Sequence, residues 1–377
     1  MPTDAPSHGL RLTSTLTEAG ELEIRLVDEP VAEPGADEVL IRVEASPINP
    51  SDLGSLLGPA DPSTARFEGP PERPSVTVSL PPQTAQAMSR RKGLTMSTGL
   101  EGAGFVVKAG ANAKRLLGKR VTVMGGGMHA QYRVVPAEDC LELPDDVTSA
   151  EGAAAFVNPL TALAMVETMR LEGHKGLVHT AAASNLGQML VRICQEDGVP
   201  LVNVVRRPEQ ADLLRGLGAT HVCDSSAPSF RDDLLRALAD TRATMAFDAV
   251  GGGRLASDIL TAMESAAASR MAEYSLYGSS EAKQVYIYGS LDPRPIELMR
   301  SFGLMWGVGG WLLMPTLHRL GSKVSDRLRR RVVSGLKTVF ASRYAREISL
   351  AEMLQRDAML AYTRKATGEK YLVVPAK

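Results

Sequence analysis

The sequence predicts an α/β protein that combines a β-rich domain with a doubly wound parallel sheet. Three observations predict this class. Residues 10–43 alternate apolar and polar side chains, as half-buried antiparallel strands do. Residues 176–207 read as strand, tight turn, helix and strand, which is the beginning of a βαβ unit. Short apolar runs then alternate with helical patterns as far as residue 289, and such alternation is typical of a parallel sheet.

Composition and charge place the chain among ordinary globular proteins. Its 377 residues are long enough for two domains, with 44% hydrophobic and 23% charged residues. A net charge of −1 gives no reason to expect nucleic acid or an anionic membrane as a partner. The longest nearly uncharged run, 301–317, is shorter than a membrane-spanning helix, and the first residues lack the basic and apolar blocks of a secretory signal. We therefore expect a cytoplasmic protein without a membrane span.

The cysteines and histidines do not form a metal or disulfide pattern. Cys140, Cys194 and Cys223 are odd in number and include no CxxC pair, which favours reduced thiols. The six histidines are scattered along the chain. The sequence therefore predicts no metal site.

The turn after the first strand of the βαβ unit is the candidate phosphate site. The helix that follows such a turn has unpaired N–H groups and the positive end of its dipole at its start. Of the three glycines in the usual dinucleotide fingerprint, only Gly187 is present. Ser184 and Asn185 can offer hydrogen bonds to a phosphate, and Ala182 and Leu186 complete the predicted contacts of the turn. The alternative is a sheet of the same kind that binds no nucleotide.

The end of the second strand indicates which dinucleotide is bound. An NAD site places an acidic residue there, whereas a 2′-phosphate favours arginine. This chain has Arg206 and Arg207, and a guanidinium can hold a phosphate through two parallel hydrogen bonds. NADPH is therefore the predicted cofactor, and a pair of solvated loop arginines is the alternative.

Four further segments, together with the βαβ unit, carry a family resemblance. They are VLIRVEASPINPSD (39–52), GLEGAGFVVKAG (99–110), GKRV (118–121) and AQYRVVPAEDCLELPDDVTSAEGAA (130–154). In this order they resemble the medium-chain dehydrogenase/reductase superfamily, and most closely its zinc-independent NADPH:quinone oxidoreductases. The resemblance implies a GroES-like catalytic domain in residues 1–155 and 341–377, and a Rossmann domain that binds NADPH in residues 156–340.

The chain departs from the zinc alcohol dehydrogenases of this superfamily. Those enzymes have a cysteine in the turn near Ile48, a histidine just before the retained Glu101, and four clustered cysteines. Here Leu100 precedes Glu101, and no cysteine occurs before Cys140. A zinc ion needs three or four ligands held together, so we expect catalysis without zinc.

The resemblance also implies which residues surround the cofactor. Asn49, Asn158 and Thr161 are the polar side chains expected beside the nicotinamide, in a cleft between the two domains. A simpler role for Asn158 is to cap the following helix, with Pro159 at its first position. The other expected cofactor contacts lie at strand ends and near the chain end, at Val250, Gly251, Tyr288, Gly289, Ser290 and Lys370. Tyr288 is more often a half-buried aromatic residue of a strand than a proton donor.

Three remaining segments have two interpretations each. Residues 59–98 are rich in Pro, Ser and Thr, which predicts a mobile surface excursion and, as the alternative, a lid over the substrate. In the resembling family, a strand equivalent to part of 301–313 continues the sheet across a homodimer; the alternative is a monomer that buries this segment. The basic helix 324–340 reads as a solvated face or as a patch for a phosphorylated substrate.

The resemblance implies a zinc-independent, NADPH-dependent oxidoreductase that transfers hydride to a quinone or another electron-poor α,β-unsaturated carbonyl compound. One alternative is a trans-2-enoyl-thioester reductase acting on CoA or acyl-carrier-protein substrates. The absence of tyrosine between Ser51 and Gly104 counts against it, because those enzymes have one shortly after the Asn-Pro turn. A second alternative is a non-catalytic NADPH-binding sensor, which the missing glycines favour.

Overall fold

The computed structural model describes residues 6–377, which form two compact units. Of the described residues, 6–157 and 332–377 form the first unit, and 158–331 form the second. The first unit is thus made from two separate stretches of the chain.

Most elements of the first stretch are strands. The strands are β1 (His8–Leu16), β2 (Glu21–Pro30), β3 (Glu38–Pro47), β4 (Arg66–Glu68), β5 (Ser75–Ser79), β6 (Thr95–Ser97), β7 (Glu101–Ala109), β8 (Arg120–Met124), β9 (Tyr132–Pro136) and β10 (Cys140–Glu142), and the helices are α1 (Asp52–Leu56), α2 (Pro82–Ala87) and α3 (Ser149–Gly152).

Helices and strands alternate through most of the second unit. They are α4 (Val157–Leu171), β11 (Leu177–Thr180), α5 (Asn185–Asp197), β12 (Leu201–Val205), α6 (Pro208–Gly216), β13 (His221–Asp224), α7 (Phe230–Thr241), β14 (Met245–Asp248), α8 (Leu255–Ala268), β15 (Lys283–Ile287), β16 (Trp306–Gly310), α9 (Leu313–Leu320) and α10 (Ser322–Ser334). The last stretch then adds β17 (Arg346–Ile348), α11 (Arg356–Thr363) and β18 (Tyr371–Val373).

Two sheets organise the first unit. One has the strand order β4-β5-β2-β1-β6, and its core includes Leu12, Ile24 and Val76. The other has the order β10-β8-β7-β3-β18-β17, and β9 also pairs with β3. Strand β18 runs antiparallel to β3, with Val373 opposite Ser46, so the end of the described chain completes this sheet.

A parallel sheet of six strands organises the second unit. Its order is β13-β12-β11-β14-β15-β16. Strands β11, β12 and β14 are buried along their whole length, as expected for central strands covered by helices on both faces. The strand order reverses between β11 and β14, and ligands of such sheets bind outside the carboxyl ends of the strands at that point. The predicted fold class is confirmed.

Residues 59–98 do not form the predicted surface excursion. Strand β5 lies in this segment and pairs antiparallel with β2, and β6 pairs antiparallel with β1. Val76 and Val78 of β5 are 0% and 1% exposed and belong to the core. The prediction was wrong because the high Pro, Ser and Thr content masked the alternating pattern Ser75-Val-Thr-Val-Ser79, which is typical of a half-buried strand.

Candidate functional site

The turn between β11 and α5 is compact and built from small residues. Ser184 caps α5, because its Oγ accepts a hydrogen bond from Gly187 N at 3.2 Å. A Cβ added to Gly187 would lie 2.1 Å from the carbonyl oxygen of Ala182, so only glycine lets the helix start this close to the strand. Ala182 and Leu186 are 0% and 8% exposed. The first turn of α5 thus packs closely on the end of β11, as a phosphate-binding turn requires.

Ala181 has a backbone conformation that side chains rarely adopt. Its φ is +50°, in the left-handed region that favours glycine. We expect Ala181→Gly to increase the free energy of unfolding by about 1 kcal/mol, because the strain of this conformation disappears. Chemical denaturation would measure the change. Ala183→Gly is the control, since Ala183 lies outside the left-handed region and glycine there should reduce stability. A loss of stability in Ala181→Gly would contradict the interpretation of strain.

The side chains of Ser184 and Asn185 are predicted to contribute directly to phosphate binding. Replacing both by glycine should weaken NADPH binding by about 1 kcal/mol for each neutral hydrogen bond removed. Fluorescence titration would measure the affinity, and thermal unfolding would report separately on the loss of the Ser184 cap, which costs only a few tenths of a kcal/mol when glycine replaces serine. Tighter binding in the double variant would show that these residues are only tolerated in place of glycine.

A buried hydrogen-bond network under this turn was not predicted from the sequence. Thr180 Oγ1 donates to Asp248 Oδ1 at 2.6 Å and accepts from Ala249 N at 2.9 Å. The Asp248 carboxylate also accepts from the N–H groups of Val250 and Gly251. The network therefore fixes the ends of β11 and β14, which are adjacent at the point where the strand order reverses. An aspartate that ends a buried strand and precedes glycines is the signal that could have indicated it.

The loops that follow β14 and β15 approach each other through their backbones. A Cβ on Gly251, whose φ is +79°, would lie 2.4 Å from Gly289 O, and a Cβ on Gly289 would lie 2.5 Å from Ala249 O. Val250 and Ser290 flank these glycines, and Ser290 is exposed. The structure thus brings the predicted residues of these two loops to the same edge of the sheet as the turn before α5.

Tyr288 directs its hydroxyl group into the protein interior. Its OH lies 2.7 Å from His179 Nε2, and the two rings stack with centroids 5.8 Å apart. Burial raises the pKa of Tyr288 and lowers the pKa of His179 to about 3, so both groups are neutral near pH 7. A ligand at the sheet edge can therefore contact the ring and backbone of Tyr288, while its hydroxyl is already engaged.

Arg206 and Arg207 follow β12 directly and are both exposed. Neither side chain forms an ion pair with a carboxylate in the part of the chain that the structure describes. The basic residues of α10 differ from this pair: Arg327 is bound to Glu167 at 2.8 Å, and Arg331 is bound to Asp197 at 2.8 Å. Neighbouring acids thus neutralise Arg327 and Arg331, and these two arginines are not free to bind a phosphate.

An open groove of about 730 Å³ lies beside the ends of β15 and β16 in the second unit. It is lined mainly by aromatic and apolar side chains, including Tyr288 and Trp311. The Trp311 indole is fixed because its Nε1 donates to Thr168 Oγ1 at 3.2 Å and its ring meets Phe247 edge-on. At the rim, Arg319 is paired with Glu172 at 2.9 Å. The groove therefore offers an apolar surface with little free charge.

The first unit contains a buried polar cluster around Asn49. Asn49 Nδ2 donates to Glu101 Oε1 at 2.8 Å, and the Asn49 N–H donates to Asp52 Oδ2 at 2.7 Å. Asp52 Oδ1 also accepts from Leu100 N at 2.7 Å. Burial raises the pKa of Asp52 to about 7, against the lowering effect of these two backbone N–H groups. Lys370 Nζ is buried near both carboxylates, and burial lowers its pKa.

Glu101 also determines where α4 begins. Its Oε2 accepts hydrogen bonds from the backbone N–H groups of Phe156 and Val157, each at 2.8 Å. The predicted capping of this helix by Asn158 is wrong, because the helix already begins at Val157 and places Asn158 inside its first turn. Asn158 and Thr161 are only 8% and 7% exposed on α4. The Glu101 carboxylate of β7 therefore caps α4, and its negative charge is favourable at the positive end of the helix dipole.

Among residues 6–377, no three His, Cys, Asp or Glu side chains lie where they could share a metal ion. No described helix combines the length and the apolar character that crossing a bilayer requires. The three cysteines are buried and unbonded.

Comparison with known proteins adds family evidence to this geometry. Residues 35–145 match the alcohol dehydrogenase GroES-like domain. A mitochondrial enoyl-[acyl-carrier-protein] reductase of Caenorhabditis elegans is 26% identical over 239 residues, which cover 61% of this chain and 60% of that protein. A chloroplastic quinone-oxidoreductase homolog of Spinacia oleracea is 28% identical over 216 residues, covering 54% of this chain and 57% of that protein. The chain thus spans about 60% of the length of these relatives.

One solved structure resembles nearly the whole chain. It is a protein of Mesorhizobium loti assigned as an NADPH:quinone reductase, with a TM-score of 0.72 and 26% identity over 99% of this chain and 100% of that chain. The GroES-like match, the parallel sheet with its glycine-bearing edge and this similarity all agree with the resemblance found in the sequence. Residues 35–145 thus carry an alcohol dehydrogenase GroES-like domain, and the whole chain is consistent with the zinc-independent branch of the medium-chain dehydrogenase/reductase superfamily.

Proposed function

We propose that the protein is a zinc-independent, NADPH-dependent oxidoreductase that reduces a quinone or another electron-poor α,β-unsaturated carbonyl compound. The observation that carries this proposal is the edge of the parallel sheet. Two arginines without carboxylate partners follow β12 there, beside a turn whose glycine leaves space for a phosphate. Both features fit a dinucleotide that carries a 2′-phosphate.

The residues at this edge fit NADPH in two respects. A Cβ on Gly187, Gly251 or Gly289 would meet backbone oxygens. Glycine at these positions therefore lets the backbone segments pack closely and adds no side chain at the edge where a ligand would bind. Arg206 and Arg207 would hold the 2′-phosphate through charge-assisted hydrogen bonds. When bound, NADPH would supply the hydride, while the protein orients the reactants and excludes water.

Asn49, Asn158 and Thr161 are proposed to lie beside the reacting groups. The orientation of Asn49 narrows its role, because its Nδ2 is already bound to Glu101 and its buried Oδ1 has no partner. Asn49 therefore presents a hydrogen-bond acceptor. It would receive a donor from a ligand and could not itself stabilise a negatively charged oxygen.

Turnover by protein treated exhaustively with a chelator tests the function. We expect NADPH oxidation with a panel of quinones, and metal analysis without stoichiometric zinc. Catalysis that stops on chelation and returns with zinc would contradict the zinc-independent assignment. NADPH binding without reduction of any quinone, enone or enoyl thioester would instead favour the non-catalytic sensor.

The enoyl-thioester reductase is the second candidate function. Its support is the similarity to the enoyl-[acyl-carrier-protein] reductase of Caenorhabditis elegans. Against it, residues 51–104 contain no tyrosine, and the groove beside β15 carries an arginine already paired with Glu172. A ratio of kcat/KM that favours an enoyl-CoA over every quinone tested would reverse our preference.

We also propose a homodimer joined through the edge strand β16. The segment before and within β16 exposes apolar side chains: Leu304, Met305 and Trp306 are 67%, 50% and 39% exposed. A second copy could extend the sheet there and cover this surface. Light scattering should give twice the chain mass, and Leu304→Lys with Met305→Lys should give a monomer. The control is Leu213→Lys, an exposed leucine of α6; a monomeric wild type would refute the dimer.

Cytoplasmic residence is part of the same proposal. The two curated relatives above are mitochondrial and chloroplastic proteins, so homology alone does not decide the compartment. Cell fractionation would test it, and recovery with an organelle would contradict it.

A further inference from the structure

The buried cluster of the first unit contains an ammonium group whose donors are unused. Lys370 Nζ is buried and has no hydrogen-bond partner in the described chain. It lies over the ring of Tyr344, 5.9 Å from the ring centroid. Burying an ammonium group without a hydrogen bond is costly, so such a group is expected where a ligand completes it.

The other polar donors of this cluster are already engaged. Asn49 uses its Nδ2 for Glu101, and the Tyr344 hydroxyl donates to Ala150 O at 3.2 Å. The N–H groups of Asn49 and Leu100 are bound to Asp52. Among these described groups, Lys370 is therefore the one that can donate to a ligand, and Asn49 Oδ1 is an unused acceptor beside the same two carboxylates.

We propose that Lys370 is a catalytic residue that stabilises the oxygen on which negative charge develops during reduction and then protonates it. This inference rests on the proposed function and assigns Lys370 a role towards the electron acceptor in place of the cofactor contact expected from the sequence. Hydride brings two electrons to the acceptor, and an N–H bond of Lys370 breaks as the O–H bond of the product forms. A quinone becomes a hydroquinone, and an enone becomes an enol that converts to the ketone. The neutral amine recovers its proton from solvent after the product leaves.

The groups around Lys370 suit both stabilisation of the negatively charged oxygen and donation of a proton to it. Glu101 on β7 and Asp52 at the start of α1 favour the protonated amine, while burial has the larger and opposite effect and lowers its pKa. Tyr344, before β17, faces the amine with its ring and stays neutral because burial raises its pKa. An ammonium group with a lowered pKa gives up its proton more readily than an exposed lysine. Because the reaction needs the protonated form, kcat should fall as pH rises through this lowered pKa.

Lys370→Met removes the charge and keeps the length of the side chain. We expect kcat with a quinone to fall about 100-fold, as for loss of a general acid, and the alkaline fall in kcat to disappear. The affinity for NADPH, titrated by fluorescence, should be unchanged. The matched control is Lys365→Met, an exposed lysine of the same segment, which should leave kcat and its pH profile unaltered.

Binding of a phenol tests, without turnover, whether Lys370 supplies a positive charge to an oxygen of the ligand. Para-nitrophenol changes its absorbance when it ionises, so it reports whether a site prefers the negatively charged oxygen. In the presence of NADP⁺, wild-type protein should bind the phenolate form at least about tenfold more tightly than Lys370→Met does, which corresponds to 1.4 kcal/mol. Lys370→Arg should keep the phenolate preference and lose most of kcat, because guanidinium retains the charge but does not release a proton.

The outcomes separate this inference from the function on which it rests. An active wild type together with an equally active Lys370→Met, or a variant that loses only NADPH affinity, would overturn the inference and leave the function intact. A wild type that reduces no acceptor would overturn both.

Discussion

Gly187→Ala is expected to abolish NADPH binding and to lower the stability of the second unit. The added Cβ would lie 2.1 Å from Ala182 O and 2.6 Å from the Ala182 carbonyl carbon, and backbone atoms cannot move aside as a flexible side chain can. The start of α5 would have to move away from β11, at a cost of roughly 3 kcal/mol or more. That displacement would open the turn in which the phosphates are proposed to bind. Fluorescence titration of NADPH and chemical denaturation would measure the two effects.

Gly216→Ala is the matched control for this change. Gly216 ends α6 in the same unit, and an added Cβ there would meet no atom within 4 Å. Alanine is also the better helix former, so this variant should keep both its affinity and its stability. If Gly187→Ala bound NADPH as the wild type does, the close approach of α5 and β11 would have no role in the site.

Replacing Arg206 and Arg207 by alanine is expected to remove the preference for NADPH over NADH. The wild type should favour NADPH at least about tenfold, because losing a phosphate held by two guanidinium groups should cost more than about 1.4 kcal/mol. The double variant should bind NADPH more weakly and NADH almost unchanged, since NADH has no 2′-phosphate. Titration of both dinucleotides would give the ratio.

Arg215→Ala controls for the general loss of positive charge. Arg215 is an exposed arginine of α6 in the same unit, but it is paired with Asp212 at 3.1 Å. Its removal should leave the ratio of the two affinities unchanged. Equal weakening of NADPH and NADH in the double variant would mean that the arginine pair does not recognise the 2′-phosphate.

Local sequence patterns predicted the fold class, because the relevant contacts lie within short segments. The apolar run of β11, the small residues of the turn and the helical spacing in α5 occur within about thirty residues, and each follows from backbone geometry. The same holds for Gly187, whose position after a strand indicates close packing of the helix.

The contacts around the candidate site depend on residues far apart in sequence. Glu101 binds the backbone of Phe156 across 55 positions, and Thr180 binds Asp248 across 68. No periodicity in one sequence indicates such a pair, because a carboxylate becomes a helix cap only when the fold brings it there. The sequence Asn158-Pro159 is a strong local signal for a helix start, but it predicted the wrong cap because the capping carboxylate, Glu101, is distant in sequence.

The return of the chain to the first unit has a consequence for synthesis on the ribosome. Strand β18 fills the position between β3 and β17, and its partner β3 is made more than 300 residues earlier. Residues 158–331 are continuous and emerge before β17 and β18 exist, so we expect the second unit to fold first and the sheet of the first unit to close last. Limited proteolysis of arrested chains in which residue 331 but not β18 has left the ribosome should find residues 158–331 protected and β3 still cleavable.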